Sequence, residues 1–185
     1  MPQKKQNESS EVKHDKERVL FTWLGYADCY AAITSRQNAN QITPEEASRL
    51  QELIPYDPVE KYKKHGKLRL LLNEFPFSEI HVLSDLNEEL GKEYQQWIQN
   101  DFPNFRIHRV PLENVSDYAE VYRVTKDAIS AFKSDDSNQE KDLAYYVNPG
   151  TTAMGTTWTL LSKSAFPATL YQLSGSSAKP EIVDL

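Results

Sequence analysis

Short apolar runs alternate along this chain with segments in which apolar residues recur at helical spacing. The runs are rich in β-branched and aromatic residues and are bounded by turn residues, a pattern typical of strands. The first run, VLFTWL, is apolar on both faces, as expected for a strand at the centre of a parallel sheet. The predicted strands cover residues 19–24, 79–84, 105–112, 143–147 and 168–173.

Helical segments fill most of the intervals between these strands. Apolar residues at helical spacing predict helices near residues 44–53, 68–75, 90–98, 118–132 and 154–161. The predicted N-caps are Thr43, with Pro44 at N1, then Asp85 or Asn87, Ser116, and Thr151 or Thr152. This alternation predicts the α/β class, with a Rossmann-like parallel sheet sandwiched by helices in a single domain.

The segments on either side of the first strand carry little helical signal. Residues 1–18 are polar and charged without a hydrophobic period, and they predict a disordered leader before a domain of residues 19–185. After the strand, about 40 residues pass before a long helix is evident, which predicts a long connection beginning at Gly25. Long loops in compact α/β domains tend to be functional.

Composition limits the class of protein and its partners. With 185 residues, 39% of them hydrophobic, the chain is long enough for one domain with a substantial core. A net charge of −6 disfavours an extended nucleic acid as a direct partner, although a local pocket can still bind a short anion. The single cysteine, Cys29, excludes an internal disulfide and fits a reducing cytosol. No apolar run is long enough to span a membrane, so a cytoplasmic location without membrane contact is predicted.

The strongest candidate site lies where the fourth predicted strand ends. Asn148, Pro149 and Gly150 break the strand, and a helix containing Met154 follows. A turn of this kind presents free backbone N–H groups at the positive end of a helix, which suits a phosphate. Gly150 and Gly155 have the GxxxxG spacing of an NTPase loop, but the lysine that binds the β- and γ-phosphates is missing. The alternative is that Gly150 simply permits a tight turn.

Aromatic and basic residues of the predicted long connection offer a second set of contacts. The tyrosines can stack on bases or pack the loop onto the domain, and the basic side chains suit phosphates or a solvated face. Asp28 either polarises a ligand hydroxyl or stands as a solvated loop acid. The tyrosines and basic residues are Tyr26, Tyr30, Tyr56, Tyr62, Arg36, Lys61, Lys63, Lys64 and Lys67.

The sequence contains none of the familiar catalytic or cofactor motifs. Neither a GxSxG nucleophile elbow nor a GxGxxG dinucleotide fingerprint occurs. His81 and His108 fall in the second and third predicted strands, and without nearby Cys or clustered carboxylates they favour strand packing over a metal site. The sequence therefore predicts a binding domain without catalytic residues, metal or cofactor.

The opening VLFTWLGYAD and the later YYVNPGTTAMGTTWTLL together resemble the CRISPR-associated Rossmann fold (CARF) family. The resemblance extends over residues 19–185, including the closing PEIVDL. More narrowly, FTWLG and NPGTTAMG are similar to the N-terminal sensor of RtcR-type AAA+ transcription activators, in which an ATPase and a helix-turn-helix DNA-binding domain follow. Neither follows here, so the resemblance implies an excised or truncated sensor domain.

The resemblance also implies a homodimer that binds its ligand across the two-fold axis. The ligand expected from the family is a cyclic oligoadenylate, a second messenger of antiviral defence, or a short RNA with a damage-derived end for RtcR-type members of RNA-repair regulation. Thr151 and Thr152 with the Gly150 backbone are then expected to hold phosphate, and Trp23 or Tyr26 to contact a base. The implied site residues are Thr22, Trp23, Leu24, Gly25, Tyr26, Asp28, Ser84, Asn148, Pro149, Gly150, Thr151, Thr152 and Met154.

Three functions are open at this point. A sensor would bind the ligand as a dimer and regulate a fused or associated effector. A metal-independent ring nuclease would cleave the same ligand through attack of a ribose 2′-OH on the adjacent phosphate, leaving 2′,3′-cyclic phosphate ends. An interaction module would use its tyrosines for a protein partner, and the Gly150 turn would serve structure alone.

Overall fold

Strands and helices alternate in the computed structural model, which describes residues 17–175 and 179–184. The strands are β1 Arg18–Trp23, β2 Glu79–Ser84, β3 Phe105–Arg109, β4 Asp142–Tyr146, β5 Ala168–Ser174 and β6 Lys179–Val183. The helices are α1 Tyr26–Asn38, α2 Pro44–Gln51, α3 Gly66–Glu74, α4 Glu88–Ile98, α5 Tyr118–Lys133 and α6 Thr152–Ser162. Short 3-10 turns at Glu60–Tyr62 and Asp136–Asn138 lie in the connections.

The strands form one sheet in the order β3-β2-β1-β4-β5-β6. Strands β1 to β5 are parallel, while β6 runs antiparallel to β5 and places Pro180 opposite Leu173. The α/β, Rossmann-like class is therefore confirmed, with one antiparallel edge strand that the sequence patterns did not indicate. Connections from β1 lead outward to β2 and β3, whereas β4 begins the other half of the sheet. The boundary between β1 and β4 is thus the topological switch point.

Helices cover both faces of the sheet and bury β1 between them. Helices α1 to α4 pack on one face, and α5 and α6 pack on the other. Along β1 and the residue after it, Leu20 and Leu24 join the first layer, while Phe21 and Trp23 join the second. None of the helices in the described ranges is long and apolar enough to cross a membrane.

Side-chain caps define where several helices begin, largely as predicted. Thr43, Asn87 and Thr151 each accept a hydrogen bond from a backbone N–H in the first turn of α2, α4 and α6, respectively. Of the alternatives left by the sequence, the structure selects Asn87 over Asp85 and Thr151 over Thr152. The cap predicted for α5 is wrong by one residue, because the carboxylate of Asp117, and not the Ser116 hydroxyl, accepts from the first turn.

Two predicted strand boundaries also need correction. The third strand ends at Arg109, because Pro111 has no N–H and the last ladder bond is donated by the Val110 N–H to the Ser84 carbonyl. Arg18 belongs to β1, where its guanidinium donates to the Tyr171 hydroxyl at 2.8 Å. The predicted leader is therefore too long at its end, and its residues 1–16 lie outside the described part of the chain.

The predicted long connection after the first strand is wrong, because α1 begins at Tyr26, immediately after Gly25. Its buried face consists mainly of small side chains, which give only a weak apolar period in the sequence. The tyrosines and lysines assigned to this connection are therefore divided among α1, the segment between α2 and α3, and the start of α3. The buried residues of α1 are Ala27, Asp28, Cys29, Ala31, Ala32 and Ile33.

Gly66 allows α3 to start directly against α1. Its φ of +69° lies in the left-handed region, and a Cβ added there would lie 2.6 Å from Asp28 Oδ1 and 2.9 Å from Asp28 Cα. Gly91, inside α4, offers a contrast, because a Cβ added there meets nothing within 4 Å.

We expect Gly66→Ala to lower the free energy of unfolding by about 1–3 kcal/mol from backbone strain, with the clash adding to this loss. Gly91→Ala is the matched control, and it should be neutral or raise stability by up to about 1 kcal/mol through helix propensity. Urea unfolding followed by tryptophan fluorescence measures both. Equal effects of the two substitutions would contradict the close contact between α3 and Asp28.

Candidate ligand site at the switch point

A pocket of about 180 Å³ opens at the carboxyl edge of the sheet, beside the switch point between β1 and β4. Its walls come from the ends of β1 and β2, the turn after β4, and the first turns of α1, α3 and α6. Ligands of open α/β sheets bind at this place. The residues that line the pocket are Leu24, Gly25, Tyr26, Ala27, Tyr56, Lys67, Asp85, Leu86, Val115, Gly150, Thr151 and Met154.

Two glycine turns approach each other closely at the pocket. A Cβ added to Gly25 would lie 3.1 Å from Asp28 Oδ2 and 3.6 Å from both the Gly150 nitrogen and Pro149 Cβ. Gly150 has a φ of +85°, and a Cβ there would lie 2.3 Å from the Met154 sulfur. Side chains at these two positions would therefore crowd the turns that frame the pocket.

The start of α6 leaves backbone N–H groups unpaired. The Thr151 hydroxyl accepts from the Met154 N–H at 3.4 Å and donates to the Val115 carbonyl at 2.8 Å, and the Thr151 N–H faces the Met154 sulfur at 3.3 Å. No described residue accepts from the N–H groups of Thr152 or Ala153. The Thr151 hydroxyl is thus engaged within the protein, so the backbone groups, more than this hydroxyl, are suited to a phosphate.

The start of α1 has a similar arrangement on the opposite face of the sheet. Gly25 is its N-cap and offers no side chain to the first turn. The N–H groups of Tyr26 and Ala27 precede the first bond of the helix, which runs from the Asp28 N–H to the Gly25 carbonyl at 3.0 Å. Two helix N-termini, those of α1 and α6, therefore direct their positive dipole ends towards one pocket.

Asp28 is fully buried and holds the start of α3. Its Oδ1 accepts from the Lys67 N–H at 2.6 Å and the Leu68 N–H at 2.7 Å, whereas no described residue makes a well-formed hydrogen bond to Oδ2. Burial raises the pKa of the carboxyl to about 6, against the opposing effects of the Leu68 N–H, the Lys67 charge and N–H, and the Gly25 N–H. The burial of Asp28 contradicts both roles predicted for it from the sequence, a solvated loop acid and a carboxylate that contacts the ligand.

Lys67 brings a positive charge to the pocket wall. Its N–H is held by Asp28, its carbonyl accepts from the Tyr146 hydroxyl at 3.0 Å, and its Nζ donates to the Asn148 carbonyl at 3.3 Å. The Nζ atom also lies 5.3 Å from the centroid of the Tyr62 ring. The backbone of Lys67 is therefore fixed by α1 and β4, and its ammonium group is held at the turn after β4.

Aromatic rings and a carboxylate occupy another part of the lining. The rings of Tyr26 and Tyr56 meet edge to face with centroids 5.7 Å apart, and Tyr56 is 57% exposed. Asp85 directly follows β2 and is half-buried. Burial raises the pKa of the Asp85 carboxyl, opposed by its own backbone N–H. Burial raises the pKa of the Tyr26 phenol, and the charge of Asp85, which lines the same pocket, adds to this rise.

About half of the site residues implied by the sequence reach the pocket, namely Leu24, Gly25, Tyr26, Gly150, Thr151 and Met154. Trp23 is 0% exposed in the layer formed by α5 and α6, so its ring has no surface to offer a base. The buried Thr22 hydroxyl donates to the Tyr146 carbonyl at 2.9 Å and joins β1 to β4. The Ser84 hydroxyl is also buried and accepts from the Leu86 N–H.

The remaining implied residues support the turn or lie outside the pocket. The Asn148 side-chain oxygen accepts from the Leu173 N–H and ties the turn to β5. Pro149 is buried behind Gly25. The exposed Thr152 lines an adjoining groove along α6, which shares Gly150 and Thr151 with the pocket.

Several lining residues were not in the implied set, and they differ in how far the sequence signals them. Tyr56 and Lys67 stand among the aromatic and basic residues of the supposed loop, but nothing in their spacing indicates which of these reach the site. Asp85 follows a strand next to β1, so the rule that ligands lie at carboxyl ends of strands could have found it. Leu86 and Val115 carry no comparable signal.

His81 and His108 lie away from this pocket and pack between β2, β3 and α5. Nδ1 of His81 is 2.9 Å from Nε2 of His108, and Nε2 of His81 is 3.2 Å from a carboxylate oxygen of Glu79. Burial lowers the pKa of both imidazoles. In the described ranges, no group of three or more His, Cys, Asp or Glu residues is arranged to hold a metal ion.

Comparisons with known proteins support the fold and leave the family open. No family model matches the sequence, and no curated protein matches it either. Among solved structures, the chain is similar to Csm6 of Enterococcus italicus bound to cyclic hexa-2′-fluoro-hexa-dAMP, with a TM-score of 0.56 and 12% sequence identity. The match covers 87% of this chain and 34% of the Csm6 chain, so the shared region is about a third of that protein. At this identity, the similarity shows a common fold.

The raised pKa of Asp28 predicts a specific dependence of stability on pH. Because the folded pKa, about 6, lies above the unfolded value of 3.8, the folded state binds the proton more tightly, and this contribution to stability is lost as pH rises from about 4 to 6. Asp28→Asn keeps an oxygen for the α3 N–H groups but cannot ionise. The free energy of unfolding of the wild type, relative to that of Asp28→Asn, should therefore fall by about 2–3 kcal/mol across this interval.

Chemical denaturation at several pH values measures this difference directly. Asp127→Asn, at an exposed position on α5, is the control and should follow the wild-type profile. Asp28→Ala removes the acceptor for both α3 N–H groups, and it should lower stability by about 1–3 kcal/mol at low pH as well. A constant difference between wild type and Asp28→Asn from pH 4 to 7 would contradict the assignment.

Proposed function

We propose that this domain is a sensor that binds a cyclic oligoadenylate, or a related short RNA, across a homodimer interface. The observation that carries the proposal is the convergence of the α1 and α6 N-termini and the Lys67 ammonium group on one pocket at the switch point. Backbone N–H groups at helix starts and lysine ammonium groups commonly bind phosphate in proteins. Their local arrangement offsets the net charge of −6 carried by the chain.

The similarity to Csm6 supports a cyclic oligonucleotide as the phosphate ligand in this proposal. The solved Csm6 structure contains a cyclic hexanucleotide analogue of adenylate, and its fold is shared over 87% of this chain. The resemblance of the two glycine turns to those of CARF sensors supports the same class. Tyr26 and Tyr56 offer aromatic surface beside the phosphate-binding groups, which suits stacking on a base.

The size of the pocket favours a site shared by two copies. Its volume of about 180 Å³ is below the roughly 300–1,000 Å³ typical of pockets that enclose a small ligand, so one copy accommodates only part of a ring of nucleotides. A two-fold axis beside the pocket would supply the same contacts to the other half of a symmetric ring. The exposed apolar side chains of Tyr56, Val59 and Tyr118 are candidates for the surface between the copies.

In this proposal, ligand binding fixes the geometry of the dimer, and the dimer regulates a fused or associated effector in cytoplasmic antiviral defence. The contacts of Lys67 with Asn148 and Tyr146 provide a route from the pocket into β4. Binding at the pocket would therefore alter the same turn that is tied to β5 through Asn148.

The ligand class is tested by thermal unfolding with cyclic tri-, tetra- and hexa-adenylate beside linear RNAs with different ends. Ligand at about 100 times Kd should add about 2.7 kcal/mol of stability, which raises Tm by about 5–10 °C for a domain of this size. Titration calorimetry should give one ring for two chains. A response to linear ends alone would indicate an RNA-end sensor, and no response to any nucleotide would indicate a protein interaction module.

Lys67→Ala tests the phosphate-binding role of the pocket cation. Because a hydrogen bond to a charged group contributes about 1.5–3 kcal/mol, we expect the ring to bind about 10- to 100-fold more weakly. Lys64→Ala is the matched control, since Lys64 is an exposed lysine three residues away that does not line the pocket. Similar losses from both substitutions would indicate general charge attraction in place of a contact at Lys67.

A further inference from the structure

Asp85 places an unpaired carboxylate in a pocket whose other polar groups attract anions. It follows β2 directly, is half-buried, and lines the pocket together with Tyr26 and Lys67. Among residues 17–175 and 179–184, no other residue donates a hydrogen bond to this carboxylate or forms an ion pair with it. Its own backbone N–H is the single hydrogen bond that lowers its pKa.

The acidic residues that follow Asp85 in the chain are paired differently. Glu88, Glu89 and Glu93 of α4 each form an ion pair with a lysine or arginine. Asp85 has lost part of its hydration without gaining such a partner, and burial raises its pKa accordingly. A carboxylate in this state is stabilised by any donor that a ligand brings to it.

We propose that Asp85 accepts a hydrogen bond from an N–H or O–H group of the bound nucleotide and thereby determines ligand specificity. The inference rests on the proposed nucleotide-binding function and assigns a second polar contact to the same site. Phosphate is attracted to Lys67 and the helix N-termini and is repelled by Asp85. The nucleotide is therefore oriented with its phosphate at the Gly150 turn and a donor of its ribose or base towards Asp85.

The sign of the effect of Asp85→Ala tests this contact. If the carboxylate accepts a hydrogen bond from the ligand, its removal should weaken binding of the cognate ring by about 10-fold or more. If the carboxylate is merely solvated, its removal relieves repulsion of an anionic ligand and leaves affinity unchanged or increased. Asp85→Asn keeps an uncharged acceptor and should fall between the wild type and Asp85→Ala.

Modified rings identify the donor, because each lacks one candidate group. A 2′-fluoro ring lacks the ribose hydroxyl as donor and cannot be cleaved by it, and a purine-riboside ring has hydrogen in place of the exocyclic amino group and gains no new donor. The ring that lacks the true donor should bind to the wild type as weakly as the unmodified ring binds to Asp85→Ala. For that ring, Asp85→Ala should cause no further loss of affinity. An equal loss from Asp85→Ala with all three rings would overturn the proposal.

Controls separate failure of this inference from failure of the proposed function. Glu113→Gln removes one negative charge from an exposed residue outside the pocket, and it should leave affinity unchanged. Circular dichroism and urea unfolding show whether each Asp85 variant is folded. If the wild type binds a ring and folded Asp85→Ala binds it with undiminished affinity, the role of Asp85 alone is overturned. If the wild type binds no ring or RNA, the proposed function and this inference are overturned together.

Discussion

The buried carboxylate of Asp28 is the interaction on which the arrangement of the site depends. It joins the first turn of α1 to the first turn of α3 through two backbone N–H groups, those of Lys67 and Leu68. Gly66 leaves room for this contact, since any side chain there would strike Asp28. The position of Lys67 in the pocket is thus a consequence of a charge that is costly to bury and is stabilised by hydrogen bonds.

The pocket combines opposite charges in a way that a simple anion site does not require. Lys67 and two helix N-termini make one side favourable for phosphate, while Asp85 makes another side unfavourable for it. A ligand that carries both phosphates and hydrogen-bond donors satisfies both sides at once. Inorganic phosphate carries its hydroxyl donors on the charged group itself, so the charge pattern favours a larger ligand whose donors are separated from its phosphates.

The sequence predicted the fold class and the turn after β4 because both depend on local signals. Apolar runs and helix caps such as Thr43 and Thr151 depend on residues only a few positions apart, so they can be recognised in a single sequence. The start of α1 was not predicted, because its buried face is made of alanines and Cys29, which pack well but give little periodicity. Lys67 and Val115 reach the pocket through tertiary packing, and no local pattern encodes such a contact.

The antiparallel strand β6 also bears on how copies of this chain can associate. Pro180 removes one backbone donor from β6, and the neighbouring Lys179 and Glu181 place charges beside it. Edge strands with proline and charged residues resist pairing with strands of another molecule, and such pairing can lead to aggregation. These features make the β6 edge poorly suited to pairing with a strand of another chain.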